Sequence, residues 1–168
     1  MHKLNIHIVR KLMLIIVSLT LSIPVFSQFS EIKVNGLILG ATYTESQITE
    51  SLGAPSRIIP PNQDFPNWVE YRYLNSVIGN ESAFLFIDGS LQQFCIRNNN
   101  FKLNNYLEVG MDISMVNQMG GVIYNSASDL FYWAPSEEYK RIGYAIIHFN
   151  PSNQKITLID VSTKSDFI

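Results

Sequence analysis

The sequence contains very little cysteine and histidine: one cysteine and three histidines among 168 residues. Cys95 alone cannot form an internal disulfide, so the fold must depend on its hydrophobic core. Only His148 lies beyond the N-terminal segment, and one histidine with one cysteine cannot fill the usual four-ligand zinc site. The sequence therefore predicts no metal centre and no cofactor.

Residue patterns typical of catalytic sites are also scarce. Cys95 and His148 are the only candidates for a cysteine–histidine pair, and both fall inside predicted strands, whereas catalytic groups favour loops and strand ends. No nucleophile-elbow motif supports a serine hydrolase. Gly120-Gly121 follows a predicted helix instead of opening one, as a phosphate-binding loop would. We therefore expect a protein without enzymatic activity, with a secreted hydrolase as a remote alternative.

The N-terminal segment has the parts of a secretory signal peptide. Lys3, Arg10 and Lys11 form a basic region, an apolar run extends from Leu12 to Phe26, and small residues occupy the −3 and −1 positions of a cleavage site after Ser27. The apolar run is shorter than the roughly 20 residues that span a membrane, and no cysteine lies near the cleavage site for a lipid anchor. We predict a bacterial protein exported to the periplasm or secreted, with no stable membrane span after cleavage.

The predicted mature chain, residues 28–168, has the size of a single domain. Removal of residues 1–27 leaves 141 residues. It also changes the net charge from −2 to −5, because three basic residues are lost and 9 basic residues then face 14 acidic ones. This balance offers no electrostatic footprint for nucleic acid, so no nucleic-acid partner is expected.

The second half of the chain reads as a degraded copy of the first. Residues 37–53 run from an apolar stretch ending in glycine, through Thr and Glu, to a helical stretch that also ends in glycine, and residues 107–120 repeat this order. Each stretch is followed by alternating, strand-like sequence. We therefore predict two units, one over about 33–98 and one over about 104–163.

In the first unit, one helix and three strands are predicted. Thr44 is a suitable N-cap for a helix that ends at Leu52, where Gly53 provides the stop. The Pro-rich segment 58–66 is expected to be a surface loop. Asp88-Gly89 is typical of a tight hairpin turn, and the predicted strands are 68–74, 83–88 and 91–97.

The second unit is predicted to follow the same plan. Asp112 or Ser114 caps a shorter helix that ends at Met119, and the predicted strands are 130–133, 142–149 and 155–161. The fold class is therefore predicted as α+β: two tandem helix-plus-antiparallel-strand units that form one sheet with the helices on one face.

Residues 39–55 carry a motif, Gly-(x)n-Thr-x-x-Gln-Ile-x-x-x-Leu-Gly-x-Pro, that resembles the helix entry of the BamE-like (SmpA/OmlA) outer-membrane assembly proteins. The hairpin at 86–91 is similar to a hairpin of the same family, and the doubled plan resembles β-lactamase-inhibitor protein (BLIP). This resemblance implies an exported, non-enzymatic, protein-binding module of the cell envelope whose partner is an envelope or secreted protein. The chain departs from the assembly lipoproteins in lacking a lipid-attachment cysteine and in having two units.

Aromatic side chains recur at every second position of the predicted strands. They either pack as core or form a recognition surface, and the alternation alone does not tell which face is buried. Aromatic residues and arginine are enriched at protein interfaces, so the candidate partner-binding residues are Trp68, Arg72, Tyr71, Tyr73, Tyr132 and Trp133.

A second hypothesis assigns the aromatic sheet surface to a small molecule or a glycan. In this alternative the exported protein is a periplasmic carrier, and a deep pocket lined by Tyr71, Phe84 and Trp133 would favour it. The sequence does not determine the oligomeric state.

Overall fold

The computed structural model describes residues 29–74 and 80–163. The predicted signal peptide, residues 1–27, lies outside the described residues. The helices are α1 (Glu45–Leu52) and two 3-10 helices, Ile113–Met119 and Tyr139–Arg141. The strands are β1 (Lys33–Val34), β2 (Leu37–Ile38), β3 (Arg57–Ile59), β4 (Trp68–Tyr73), β5 (Ser82–Ile87), β6 (Ser90–Ile96), β7 (Val122–Asn125), β8 (Leu130–Trp133), β9 (Gly143–Asn150) and β10 (Lys155–Thr163).

Eight of these strands form one antiparallel sheet in the order β3-β4-β5-β6-β10-β9-β8-β7. β6 and β10 meet at its centre, where Cys95 lies opposite Asp160 and Phe94 opposite Val161. β3 and β7 are the two edges. The remaining strands, β1 and β2, form a separate hairpin.

One face of the sheet carries the hydrophobic core. Strand residues alternate between faces, and one alternating set is buried: Tyr71, Tyr73, Phe84, Phe86, Phe94, Ile96, Trp133, Ala145, Ile147, Ile159 and Val161. The core also includes Ile48 and Leu52 of α1, Val116 and Met119 of the first 3-10 helix, and Val34 and Leu37 of the β1–β2 hairpin. The opposite face of the sheet remains partly exposed and is called the open face below.

Helix α1 begins and ends where its residues predict. The Thr44 hydroxyl accepts a hydrogen bond from the Gln47 N–H, and the Gln47 side chain accepts one from the Thr44 N–H, which makes a capping box. Gly53 has φ +83°, a conformation that L side chains rarely adopt. Ile48 and Leu52, spaced by four residues, are the buried positions. The predicted helix is confirmed.

The predicted α+β architecture of two tandem helix-plus-strand units was wrong. A single large antiparallel sheet dominates the fold, and only α1 is an α-helix among the described residues. The segment predicted as the second helix is the 3-10 helix Ile113–Met119, capped by Asp112. Its buried residues Ile113, Val116 and Met119 are spaced by three. This spacing matches three residues per turn, which is the geometry of a 3-10 helix.

Both edge strands were absent from the predicted elements. β3 lies within what was expected to be loop, since residues 58–59 pair with β4. β7 is a four-residue strand that follows Gly120-Gly121. The hairpin turn at Asp88-Gly89 is confirmed, with φ +50° and +76° at the two residues.

Candidate functional site

The open face extends across all eight strands of the sheet. Strand register puts its residues in transverse rows, one of which runs from Arg72 through Cys95, Asp160 and Ile146 to Tyr132. Most of its residues are at least partly exposed, whereas Ser162 of β10, opposite Gln93 and Tyr144, is buried. The exposed and partly exposed residues include Arg57 and Ile59 of β3, Trp68, Glu70 and Arg72 of β4, Ala83, Leu85 and Ile87 of β5, Gln93 and Cys95 of β6, Leu158 and Asp160 of β10, Tyr144, Ile146 and His148 of β9, Tyr132 of β8, and Ile123 of β7.

An exposed aromatic pair lies at the β4 end of the open face. The Trp68 ring stacks on Phe65, with 4.3 Å between ring centroids and an interplanar angle of 26°. Phe65 belongs to the Pro-rich loop, and both rings are exposed. Trp68, Leu85 and Gln93 border a depression of about 200 Å³ beside this pair. The loop and the sheet face therefore meet at one aromatic contact.

A charged cluster lies next to the aromatic pair. The Arg72 guanidinium donates through Nε to Glu70 (2.6 Å) and through Nη1 to Glu81 (3.2 Å). The hydrogen bond to Glu70 is the main cause that raises the pKa of Arg72. Arg57 of the edge strand also reaches Glu81, at 3.5 Å. Two arginines and two glutamates thus neutralise one another, and the pairs hold Arg72 in a fixed orientation.

The centre of the open face holds three titratable groups on neighbouring strands: Cys95, Asp160 and His148. Burial is the main cause of each pKa shift: it raises the pKa of the Cys95 thiol and of the Asp160 carboxyl, and it lowers that of His148. Asp160 further raises the pKa of the thiol and opposes the shift of His148. One oxygen of Asp160, Oδ1, is buried without a hydrogen-bond partner among the described residues. The centre is therefore poorly solvated and favours uncharged groups.

An aromatic cleft lies at the β7 end of the open face. Its volume is about 380 Å³. The rings of Tyr132 and Tyr144 have centroids 6.0 Å apart and form one wall. Ile123 of β7 and Lys140 of the second 3-10 helix also contribute. The Lys140 ammonium pairs with the Glu137 carboxylate. The cleft thus offers an apolar interior with one cation close by.

The structure separates the six predicted site residues into two groups. Tyr71, Tyr73 and Trp133 are buried on the core face. Trp68, Arg72 and Tyr132 lie on the open face, Trp68 and Arg72 at one end and Tyr132 at the other. Burial on the core face means that the first three residues hold the sheet together, while the other three remain available to a partner.

Other residues of the open face were missed by sequence reasoning. Tyr144 could have been found, because Tyr144, Ile146 and His148 alternate along one predicted strand. Ile123 could not, because its four-residue strand carries no clear periodicity. Gln93 alternates with Cys95 and lies on the open face opposite Leu85, whereas a β-bulge beyond this pair puts Leu91 in the core opposite Phe86. Such a register shift leaves no sequence signal of its own.

Two further observations concern metal binding and membrane-spanning helices. Across residues 29–74 and 80–163, no three His, Cys, Asp or Glu side chains are grouped so that they could hold a metal ion. Over the same residues, no helix combines the length and the apolar character needed to cross a membrane.

Comparison with known proteins gives weak structural matches. No protein-family model matches the chain, and no curated protein sequence is similar to it. One similar solved structure is an extracellular protein containing a SCP domain from Bacillus anthracis, with a TM-score of 0.46 and 14% identity over 77% of this chain. Another is a cysteine-rich secretory protein from Staphylococcus aureus, with a TM-score of 0.46 and 13% identity over 77% of this chain.

The chain spans less than half the length of either structure, 45% and 44% respectively. The first is described as extracellular and the second as secretory. Export of this chain, its compartment and the cleavage site after Ser27 stay predictions. The assignment to the BamE-like (SmpA/OmlA) and BLIP-like proteins was wrong: no family model matches the chain, the similar solved structures are other proteins, and the fold is one eight-stranded sheet instead of two tandem units. The motif at 39–55 that suggested it is a helix cap with a glycine stop, which unrelated folds also use.

Proposed function

We propose that this protein is an exported, non-enzymatic binding module of the bacterial cell envelope that recognises another envelope or secreted protein through its open face. The observation that supports this most is the pair of aromatic sites at the two ends of that face, Trp68 with Phe65 and Tyr132 with Tyr144. Tryptophan, tyrosine and arginine are the residues that most often dominate binding energy at protein interfaces.

The chemistry between the two aromatic sites fits a protein partner. Leu85, Ile87 and Ile146 supply half-exposed apolar area, while Arg72 and its glutamates supply oriented hydrogen-bonding groups. Because Arg72 is already ordered by its ion pairs, binding would cost little of its side-chain entropy. Apolar area bordered by polar and charged groups is typical of specific interfaces.

A catalytic role for the central groups is less well supported. A nucleophilic cysteine needs a lowered pKa, whereas burial and Asp160 raise the pKa of the Cys95 thiol. The thiol therefore stays protonated at neutral pH. Cys95 also lies within β6, away from the strand ends where catalytic groups are usual.

Affinity capture from the envelope and secreted fractions of the source cells tests the proposal. With the purified protein as bait, we expect a specific partner that is lost with Trp68→Ala and with Arg72→Ala. Lys102→Ala is the matched control, since Lys102 is also ion-paired, with Glu108 at 2.9 Å, but lies outside the open face. Retention of the partner by all three folded variants would show that another surface binds it.

The aromatic cleft supports a second candidate function, the binding of a small molecule or a glycan. A volume of about 380 Å³ lies within the range of small-ligand sites, and Tyr132 and Tyr144 could stack on a sugar ring or an aromatic group. The pocket first expected for this role was lined by Tyr71, Phe84 and Trp133, and all three side chains are buried in the core. A melting-temperature screen against a ligand library separates the two functions, because a ligand that binds the native state raises the melting temperature. A rise that Tyr144→Ala abolishes, together with no captured protein, would favour the second.

A further inference from the structure

The two edges of the sheet differ in how they are protected against pairing with another strand. An edge strand presents unpaired backbone N–H and C=O groups, and proteins usually block them with proline, charge or very short strands. β3 has all three devices: it is three residues long, it carries Arg57, and Pro60-Pro61 follows directly. β7 has no charged residue and no proline, and it pairs only with β8 among the described strands.

Two neighbouring hydrophobic side chains of β7, Ile123 and Tyr124, are largely exposed on opposite faces of the sheet. Ile123 points to the open face and is 51% exposed, while Tyr124 points to the core side and is 49% exposed. Exposed apolar residues on both sides of an unpaired edge are costly to leave in water. They would be buried by another strand laid alongside.

We propose that two copies of this chain pair antiparallel through β7 and form a dimer with one continuous sheet. The β7 strand of a second copy fits this edge: it is extended, it has an exposed hydrophobic side chain on each face, and it carries no charged residue, so that no like charges of the two strands meet across the dyad. Because β3 is blocked, addition stops at two copies. A single unprotected edge related by a two-fold axis gives a closed dimer, whereas two such edges would give an open filament.

The two-fold symmetry determines where the open faces of the two copies would lie in this dimer. An antiparallel pair of identical strands is related by a two-fold axis perpendicular to the sheet, so the open faces of the two copies lie on the same side. Ile123 of each copy then lies near the dyad, either opposite its equivalent or diagonal to it. The aromatic cleft, which includes Ile123, would gain a wall from the second copy.

Sedimentation velocity over a wide range of protein concentration tests the pairing. We expect the purified protein to move from monomer to dimer as concentration rises, with no larger species. Ile123→Lys should weaken the dimer about tenfold or more, because it puts like charges near the dyad and removes apolar contact. Ile58→Lys is the matched control: it makes the same change on the other edge, where Ile58 is 43% exposed, and should leave the dimer unchanged.

Mixing two charge variants provides a second and more specific measurement. Ile123→Lys and Ile123→Glu chains should each dimerise weakly alone and more strongly when mixed, since opposite charges then meet near the dyad. A wild-type protein that stays monomeric at every concentration would overturn the proposal. So would a dimer that survives Ile123→Lys but is lost with Ile58→Lys, and so would growth into filaments.

If a charged variant fails to fold, distances between spin labels still test the pairing through β7. With Cys95 replaced by serine, labels on Ile123→Cys in the two copies should lie close together, within a few strand spacings of about 4.8 Å. Labels on Ile58→Cys should be far apart, because fifteen strand spacings, about 70 Å along an untwisted sheet, separate the two β3 edges. A short distance at position 58, or a long one at position 123, would contradict pairing through β7.

Discussion

The carboxyl group of Asp160 illustrates how one residue on the open face responds to its surroundings. Burial raises its pKa above the usual 3.8, so the folded chain holds this proton more tightly than the unfolded chain does. Its contribution to stability is therefore greatest below pH 3.8 and is lost as the pH rises through the folded pKa. We predict that Asp160→Asn, which cannot ionise, raises the melting temperature at pH 7 relative to the wild type, and that this gain shrinks on acidification to about pH 3.5.

Asp112 supplies a control of opposite sign for that measurement. Hydrogen bonds from Ser114 lower the pKa of Asp112, so its contribution is present above pH 3.8 and is lost as the pH falls through the folded pKa. Asp112→Asn should therefore lower the melting temperature at pH 7, with the difference vanishing in acid. If the melting-temperature difference from the wild type changed with pH in the same direction for both variants, the two carboxyls would not have pKa shifts of opposite sign.

A second prediction at the residue scale concerns Phe84. Its ring is fully buried and contacts the rings of Tyr73, Phe94 and Phe101 at centroid distances of 5.4, 6.0 and 4.9 Å. Phe84→Ala should lower the free energy of unfolding by about 3–5 kcal/mol, because it leaves a cavity among these rings. Leu85→Ala, one residue away on the open face, should cost clearly less. Urea denaturation measures both, and equal losses would mean that the two faces are not distinguished by burial.

At the scale of elements, α1 depends on its N-terminal cap. Thr44→Ala removes the hydroxyl that accepts from the Gln47 N–H and should destabilise the protein by about 1 kcal/mol. Thr44→Ser keeps the hydroxyl and should restore most of this loss. Thermal unfolding followed by circular dichroism compares the three proteins, and a serine variant as unstable as the alanine variant would argue that the methyl group, and not the cap, matters.

The two helical segments show how far local sequence determines an element. The ends of α1 are predictable from residue types alone, because Thr44 and Gln47 form its N-terminal cap and Gly53 is its stop. The later segment has an equally clear cap at Asp112 and stop at Gly120, yet it is a 3-10 helix. Backbone bonds from Ile113 to Gln154 and from Ile156 to Met111 tie this segment to β10 and its preceding turn. These long-range hydrogen bonds select 3-10 over α-helical geometry, and they cannot be predicted from the local sequence.

At the scale of the whole molecule, the sheet joins both halves of the chain through β6 and β10. Phe94, Ile159 and Val161 are buried where these strands meet, so neither half has a complete core by itself. We predict one cooperative unfolding transition for the described domain. The two tryptophans report on different halves: Trp68→Phe leaves Trp133 as the probe, and Trp133→Phe leaves Trp68. Fluorescence midpoints in urea should coincide with the midpoint by circular dichroism for each variant, and separate midpoints would show independent units.

A large part of the fold was predictable residue by residue, and the candidate site was predictable only in part. The strands of the central sheet, α1 and the Asp88-Gly89 turn follow from alternation, capping and turn chemistry. Trp68, Arg72 and Tyr132 were found as candidates, but together with Tyr71, Tyr73 and Trp133, which pack in the core. Period-two alternation separates two faces of a strand without indicating which one is buried, since both faces here carry aromatic residues.

Local sequence was enough to predict α1, the Asp88-Gly89 turn, the central strands and the export signal, and a single cysteine excludes an internal disulfide. Each of these depends on residue identity and on neighbours a few positions away. The tertiary structure decided the order of the strands, the burial of one aromatic face and the identity of the two edges. Those features arise from pairings between distant segments, such as Cys95 with Asp160, and from the area that each face can bury. The open face of the sheet and the unprotected strand β7 both exist only at that level, and the two proposals made for this protein depend on them.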